Sequence, residues 1–228
     1  MTSWARAFFP RKGTRPLFAA VIVLLASLSA FAQFGFGPRG PLVIRPNAAY
    51  DGRFTFVRVT YTTAPGGFWY GGWPAWAHGY PLAEQNLMNI MSEISYLGPR
   101  VEDITTLALD DPELFRYPVA YIIEVGWWEL TDLEAMALRR YLQKGGFLIV
   151  DDFKLPGGIG GGGWDRFEAN MKRVLPDAQF VDMDVPIVNY NTDISQFWEW
   201  SSAGLRSIDE TNEAYKLGVN YIIYGMTH

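Results

Sequence analysis

The chain contains no cysteine. That excludes disulfide crosslinks, a thiolate nucleophile and any cysteine-ligated metal centre. Histidine is nearly as scarce, with only His78 and His228. A zinc site assembled from several histidines of one chain is therefore not expected. No G-x-S-x-G elbow is present for a serine triad, and no P-loop signature for a nucleotide. Positive charge is also short, with 19 Lys and Arg against 24 Asp and Glu. Phosphate neutralisation is the main source of nucleic-acid affinity, so this balance disfavours a nucleic-acid partner.

Four of the basic residues lie in the first 32. Arg6, Arg11, Lys12 and Arg15 precede the apolar run Leu17–Leu28 and then Ala30-Phe31-Ala32. This basic, apolar, small-x-small order is that of a signal peptide. The expected division is a signal peptide over 1–32, a Gly/Pro-rich linker over 33–50 and one domain over 51–228. Cleavage leaves 15 basic against 24 acidic residues, a net charge of −9. The expected location is the periplasm or cell envelope. An uncleaved leader is the rival reading, and would be the chain's one membrane contact. At 49% hydrophobic the whole 228-residue chain can fill a sizeable core.

The most structured stretch is Val119–Val125, Thr131–Lys144 and Gly145–Asp152. It reads as a buried strand, a helix opened by the capping box Thr131-Asp-Leu-Glu134 and stopped at Gly145, and a second buried strand. Parallel strands need such a crossover, so the fold class is α/β with a mostly parallel sheet. Further strands are expected within Arg53–Tyr61, Val101–Leu109, Gln179–Met183 and Ile187–Tyr190. Helices are expected over Glu84–Leu97, Trp164–Val174 and Asp209–Tyr224, and a helical turn at Asp111–Leu114. The spacing puts Leu87, Ile90, Met91, Ile94 and Leu97 on the inner face of the first helix. It puts Leu133, Met136, Ala137 and Tyr141 on that of the crossover helix, and Ala214, Leu217, Tyr221 and Ile222 on that of the last. Residues 154–163 form a glycine-rich loop. Its match to G-x-G-x-x-G has the wrong context, because the motif should follow its strand directly.

Glu124, Asp151 and Asp152 fall at the C-terminal ends of neighbouring strands, where open α/β sheets carry their sites. Converging carboxylates suit acid/base chemistry or an oxygen-ligated metal, and otherwise cap loops. Asn189, Asn191 and Asp193 form a second polar group, which lacks the glycine of a Ca²⁺ loop and also suits turns. Trp127 and Trp128, with the aromatic loop around Trp69–Tyr80, could stack on a sugar or pack the loop onto the sheet. His78 lies in that loop with no motif neighbour. The candidate binding residues are thus Glu124, Asp151, Asp152, Asn189, Asn191, Asp193, Trp127, Trp128 and His78. No metal ligand is assigned, and a divalent metal is the one cofactor left open.

Several phrases in order carry a resemblance. They are Phe54-Thr-Phe-Val-Arg58, Asp110–Pro118, Leu142–Asp152 (LQKGGFLIVDD), Tyr190-Asn-Thr-Asp-Ile194 with Trp198-Glu-Trp200, and Asn212–His228. From about Arg53 onward the chain resembles a bacterial domain of unknown function, family 4159. The resemblance implies a single flavodoxin-like, three-layer domain, similar in outline to class I glutamine amidotransferases, in a cell-envelope setting. It implies no reaction. The amidotransferase outline carries a cysteine nucleophile, which this chain lacks. Members of the family carry a further few tens of residues between Ile187 and Val188, where here the two ends meet directly. The leading expectation is a non-catalytic domain that binds a protein partner or a polar or sugar ligand. The alternative is a cysteine-free hydrolase that uses Glu124, Asp151 and Asp152.

Overall fold

The computed structural model describes residues 41–69, 72–153, 162–179, 188–189 and 193–228. Residues 43–228 form one compact unit. Its strands are β1 (Val57–Thr60), β2 (Thr62–Thr63), β3 (Phe68–Trp69), β4 (Trp73–Pro74), β5 (Thr105–Ala108), β6 (Val119–Ile123), β7 (Trp128–Glu129), β8 (Phe147–Asp151) and β9 (Val188–Asn189). Its helices are α1 (Leu82–Ile94), α2 (Asp132–Gln143), α3 (Gly162–Val174), α4 (Ile194–Ser201) and α5 (Ile208–Thr227).

Five strands form one parallel sheet in the order β5-β1-β6-β8-β9. Counted within the sheet this is 2-1-3-4-5, the flavodoxin-like order, with the reversal between β1 and β6. The chain crosses from β1 to β5 in one direction and from β6 to β8 in the other. Right-handed crossovers then place α1 and α2 on opposite faces, which makes three layers. Residues of alternating parity report the α1 side. Arg58 reaches Glu84 of α1, the Tyr121 ring lies 6.1 Å from Trp198 of α4, and Phe147 lies 5.6 Å from Tyr224 of α5.

The β6-α2-β8 unit forms as its residues require. All five residues of β6 are buried, since helices cover both faces. Thr131 Oγ1 accepts from the Glu134 amide, and the Glu134 carboxylate accepts from the Thr131 amide at 2.8 Å, so the capping box is complete. Gly145 ends the helix at φ 90°, a conformation that costs a glycine little. The turn at Pro112–Arg116 is capped by Asp111, as its Asp-Pro pair suggests.

Two helical faces differ from the apolar spacing. In α1 the buried residues are Ala83, Glu84, Leu87, Met88 and Met91, while Ile94 is 62% exposed. The rotation follows from Glu84, whose carboxylate is drawn inside by Arg58. In α2 Glu134, Ala135, Leu138 and Tyr141 are buried, and Leu133 and Met136 face out. Here the capping box and the Tyr141 hydroxyl, which donates to the Tyr117 carbonyl at 3.0 Å, fix the rotation. In α5 Ala214, Tyr221 and Ile222 point inward as expected, but Leu217 is only half-buried. Gly218 lets α5 approach: a Cβ there would stand 2.6 Å from the Trp198 ring. The helix α4 was not anticipated, and it packs against both α1 and α5. The expected loop at 154–163 and strand at 179–183 fall mostly outside the described residues.

Two small ladders position the loops at the C-terminal edge. The β2–β7 pair joins the segment after β1 to the segment after β6, with Thr63 opposite Trp128. The β3–β4 hairpin pairs Trp69 with Trp73. No helix among the described residues is long and apolar enough to cross a membrane.

Candidate functional site at the sheet switch point

Register alone brings three candidate residues together. Ile123 pairs with Asp151, so Glu124 and Asp151–Asp152 leave the sheet at the same edge. The Glu124 amide extends the ladder by donating to the Asp151 carbonyl at 3.2 Å. Both chains then turn sharply. Glu124 (φ 57°) and Asp152 (φ 49°) are the two non-glycine residues with positive φ among those described. Such backbone costs on the order of 1–3 kcal/mol per residue, and persists where the surroundings hold it. At Glu124 the hold is visible. The Tyr61 hydroxyl is shared between the carbonyls of Ile123 and Glu124 at 2.9 and 2.8 Å, and the Trp127 amide donates to the Glu124 carbonyl.

His78 arrives from the loop after β1. It follows a 3-10 turn, Ala75–Ala77, whose three residues are buried. The guanidinium of Arg58, in the middle of β1, anchors this loop. Its Nη1 donates to the carbonyls of Trp76 and His78 at 2.9 and 3.1 Å. Arg58 and Glu84 are both fully buried and form an ion pair, with Nε donating to Oε1 at 2.6 Å. The guanidinium also lies 4.9 Å from the centre of the Tyr121 ring. The imidazole stacks on Trp69, with centroids 5.0 Å apart. Its Nδ1 is thereby held 2.9 Å from Glu124 Oε1 and 3.7 Å from Asp193 Oδ2.

His78, Glu124 and Asp152 each offer a ligand atom, and these atoms lie within 4.8 Å of one another. Behind them Asp151 is fully buried. Its carboxylate accepts from the Tyr121 hydroxyl at 2.7 Å and from the Ser195 amide at 3.2 Å, at the start of α4. Asp193 caps that helix, accepting through Oδ1 from the Gln196 amide and the Ser195 hydroxyl. Asp151 thus fixes α4, and α4 carries Asp193 to His78. Glu199, on the same helix, is also buried.

The electrostatics follow from crowding acids in a dry place. Burial pushes the Asp151 carboxyl up to about 8, and the charge of Asp193 adds to it, while the Tyr121 hydroxyl and the Ser195 amide pull the other way. Burial also raises Glu124, against the pull of its bond to His78. For His78 burial opposes the imidazolium, but the Glu124 hydrogen bond and the charges of Asp193, Glu124 and Glu199 outweigh it and hold the ring at about 9. Asp151 and Glu124 thus hold protons more tightly than in water because burial disfavours their charge, and His78 does so because acids surround it.

The remaining candidates sit differently. Trp128 is fully buried, and Asn170 donates to its carbonyl, so it is core rather than a stacking surface. Trp127 is half-buried and covers Gly66–Gly67; a Cβ would stand 3.2 Å from its ring at Gly66 and 2.7 Å at Gly67. Asn189 ends β9, which pairs with Asp151, and this places its backbone at the same edge. Asn191 lies outside the described residues. Arg58, Glu84 and Tyr61 support the site without having been among its candidates, whereas Trp69 belongs to the aromatic loop expected there. An arginine at a core-facing position of β1 was the available signal, since a buried guanidinium requires an acidic partner.

A parallel 2-1-3-4-5 sheet with a cluster of polar side chains at its switch point defines a flavodoxin-like α/β domain. Within that class the chain belongs to the family described as Domain of unknown function (DUF4159), whose pattern matches residues 55–186 and 182–226. The two matched stretches overlap at residues 182–186. No curated protein matches the chain.

Proposed function

We propose that this domain is a binding module for a positively charged ligand, taken up at the switch point of the sheet. One observation carries the reading. Glu124, Asp152 and Asp193 are buried beside a single imidazole, with Asp151 buried behind them. Buried carboxylates need cationic or hydrogen-bonding compensation: Asp151 has the Tyr121 hydroxyl and the Ser195 amide, whereas Glu124 and Asp193 share one imidazole. Arg58 does not supply the difference, because its charge is committed to Glu84. A ligand bearing positive charge would complete the balance.

The binding module is read as an exported envelope protein. The support is the basic, apolar, small-x-small order of residues 1–32 and the acidic balance of the rest. A second reading, a cysteine-free hydrolase, draws on Asp193, whose Oδ2 beside His78 could take a proton from an attacking water.

The test is a thermal-shift panel on chelator-treated protein, with divalent cations, a polyamine and an amino sugar as probes. A ligand at about 100 times its Kd stabilises the folded state by about 2.7 kcal/mol. That corresponds to roughly 5–10 °C for a domain of this size. The expected result is a shift of this order with at least one cationic probe, lost in Glu124→Gln. If no cationic probe raises the melting temperature, the reading fails.

A further inference from the structure

We propose that His78, Glu124 and Asp152 ligate a divalent first-row transition-metal ion, with Asp193 at the fourth position. The inference rests on the cation-binding reading and narrows its ligand from any cation to a metal ion.

The geometry is that of a three-residue ligand set drawn from three separate loops. His78 Nδ1 is 2.9 Å from Glu124 Oε1, and no ligand atom of the three is further than 4.8 Å from another. Ligands sharing an ion at about 2.1 Å stand roughly 3.4 Å apart in a tetrahedron, so side-chain movements of about 1.4 Å or less close the set. Asp193 Oδ2 lies 3.7 Å from the same ring nitrogen, close to that spacing. Its other oxygen is already engaged by two donors on α4, so the carboxylate is held in place for the role.

Preorganisation is the second strand of the argument. The ring of His78 is fixed by stacking on Trp69, and its backbone carbonyl by Arg58. Nδ1 is the nitrogen aimed at the carboxylates, which leaves Nε2 as the protonated position when the metal is bound. The imidazole decides the class of ion. Calcium and magnesium prefer all-oxygen shells, whereas one nitrogen with carboxylate oxygens suits zinc, iron, manganese or cobalt. The competing account makes His78 an internal counter-ion for Glu124, with no metal.

Cobalt(II) separates these accounts, because its visible spectrum reports coordination. Full-length protein is stripped with chelator, titrated with Co²⁺ and then with Zn²⁺. The expected result is one Co²⁺ per chain, with visible bands of a low-coordinate nitrogen–oxygen site that collapse on adding Zn²⁺. Asp152→Asn and His78→Gln should each weaken Co²⁺ binding by at least 10-fold, while Asp132→Asn, an exposed carboxylate, and His228→Gln should not. Should His78→Gln fail to fold, the wild-type proton NMR spectrum gives the same answer: Co²⁺ should shift the ring signals of His78 and leave those of His228 in place. Absence of Co²⁺ binding, or binding unaffected by Asp152→Asn, overturns the metal assignment. A polyamine or amino sugar that binds in a Glu124-dependent way while Co²⁺ does not would overturn this inference and leave the cation-binding reading standing.

Discussion

Glu84→Gln is the sharpest perturbation of the scaffold beneath the site. The substitution keeps the shape of the side chain and removes its charge. Arg58 and Glu84 are both fully buried, so the arginine left behind has no water to turn to. Its remaining partners are two neutral carbonyls, those of Trp76 and His78, and the face of Tyr121. At an effective dielectric near 20, opposite charges about 4 Å apart attract by about 4 kcal/mol. Breaking a buried pair by removing one partner costs about 3–5 kcal/mol, in agreement. At 2–4 °C per kcal/mol this predicts a fall in melting temperature of roughly 6–20 °C. Calorimetry on the two proteins measures it. The double variant Arg58→Met/Glu84→Leu should recover most of the loss, because a hydrophobic replacement removes both charges together. It should nonetheless bind ligand poorly, since the His78 loop loses its anchor. A Glu84→Gln protein that melts within about 2 °C of wild type would refute the buried-pair account.

Other expectations follow from the same geometry. Asp152→Asn should raise the melting temperature of chelator-treated protein by a few degrees, because asparagine tolerates positive φ and its amide can donate to Glu124, the acid that Asp152 hydrogen-bonds; a lower melting temperature would contradict this. Stability of the chelator-treated protein should fall between about pH 6 and pH 9. His78, raised to about 9, contributes stability that is complete below its ordinary value of 6.5 and is lost as pH rises through 9. Asp151, raised from its ordinary 3.8 to about 8, contributes stability that is complete below 3.8 and is lost as pH rises to 8, in the same direction. Melting temperatures that stay flat or rise over that range would count against the crowded-acid picture. Gly218→Ala should cost about 1–3 kcal/mol through overpacking against Trp198 and Leu87, measurable by urea unfolding. Ile123→Asp should abolish the fold, because a lone charge in β6 faces helices on both sides.

The sheet was legible because its signals are local. Val119–Ile123, the Thr131 capping box and Gly145 each act within a few residues, and the right-handed crossover converts them into topology. That is also why Glu124 and Asp151 could be placed at one edge from sequence. The site was only partly legible because its assembly is not local. His78 reaches Glu124 through an anchor 20 residues before it, Arg58, which is itself held by Glu84 on another element. Asp193 reaches His78 because Asp151 binds the first turn of α4, a helix whose short apolar pattern, with two tryptophans and a glutamate, gave no clear period. The same coupling explains the misjudged face of α1. Apolar spacing counts Glu84 as a surface residue, and only the partner across the sheet shows that it is buried.

The most direct test of the central claim is a crystal structure of the zinc-soaked protein, with an anomalous difference map at the zinc edge. A single strong peak about 2.0–2.2 Å from His78 Nδ1 and from carboxylate oxygens of Glu124 and Asp152 is the predicted result. A map without a peak between these three side chains, with His78 still bonded to Glu124, would contradict it.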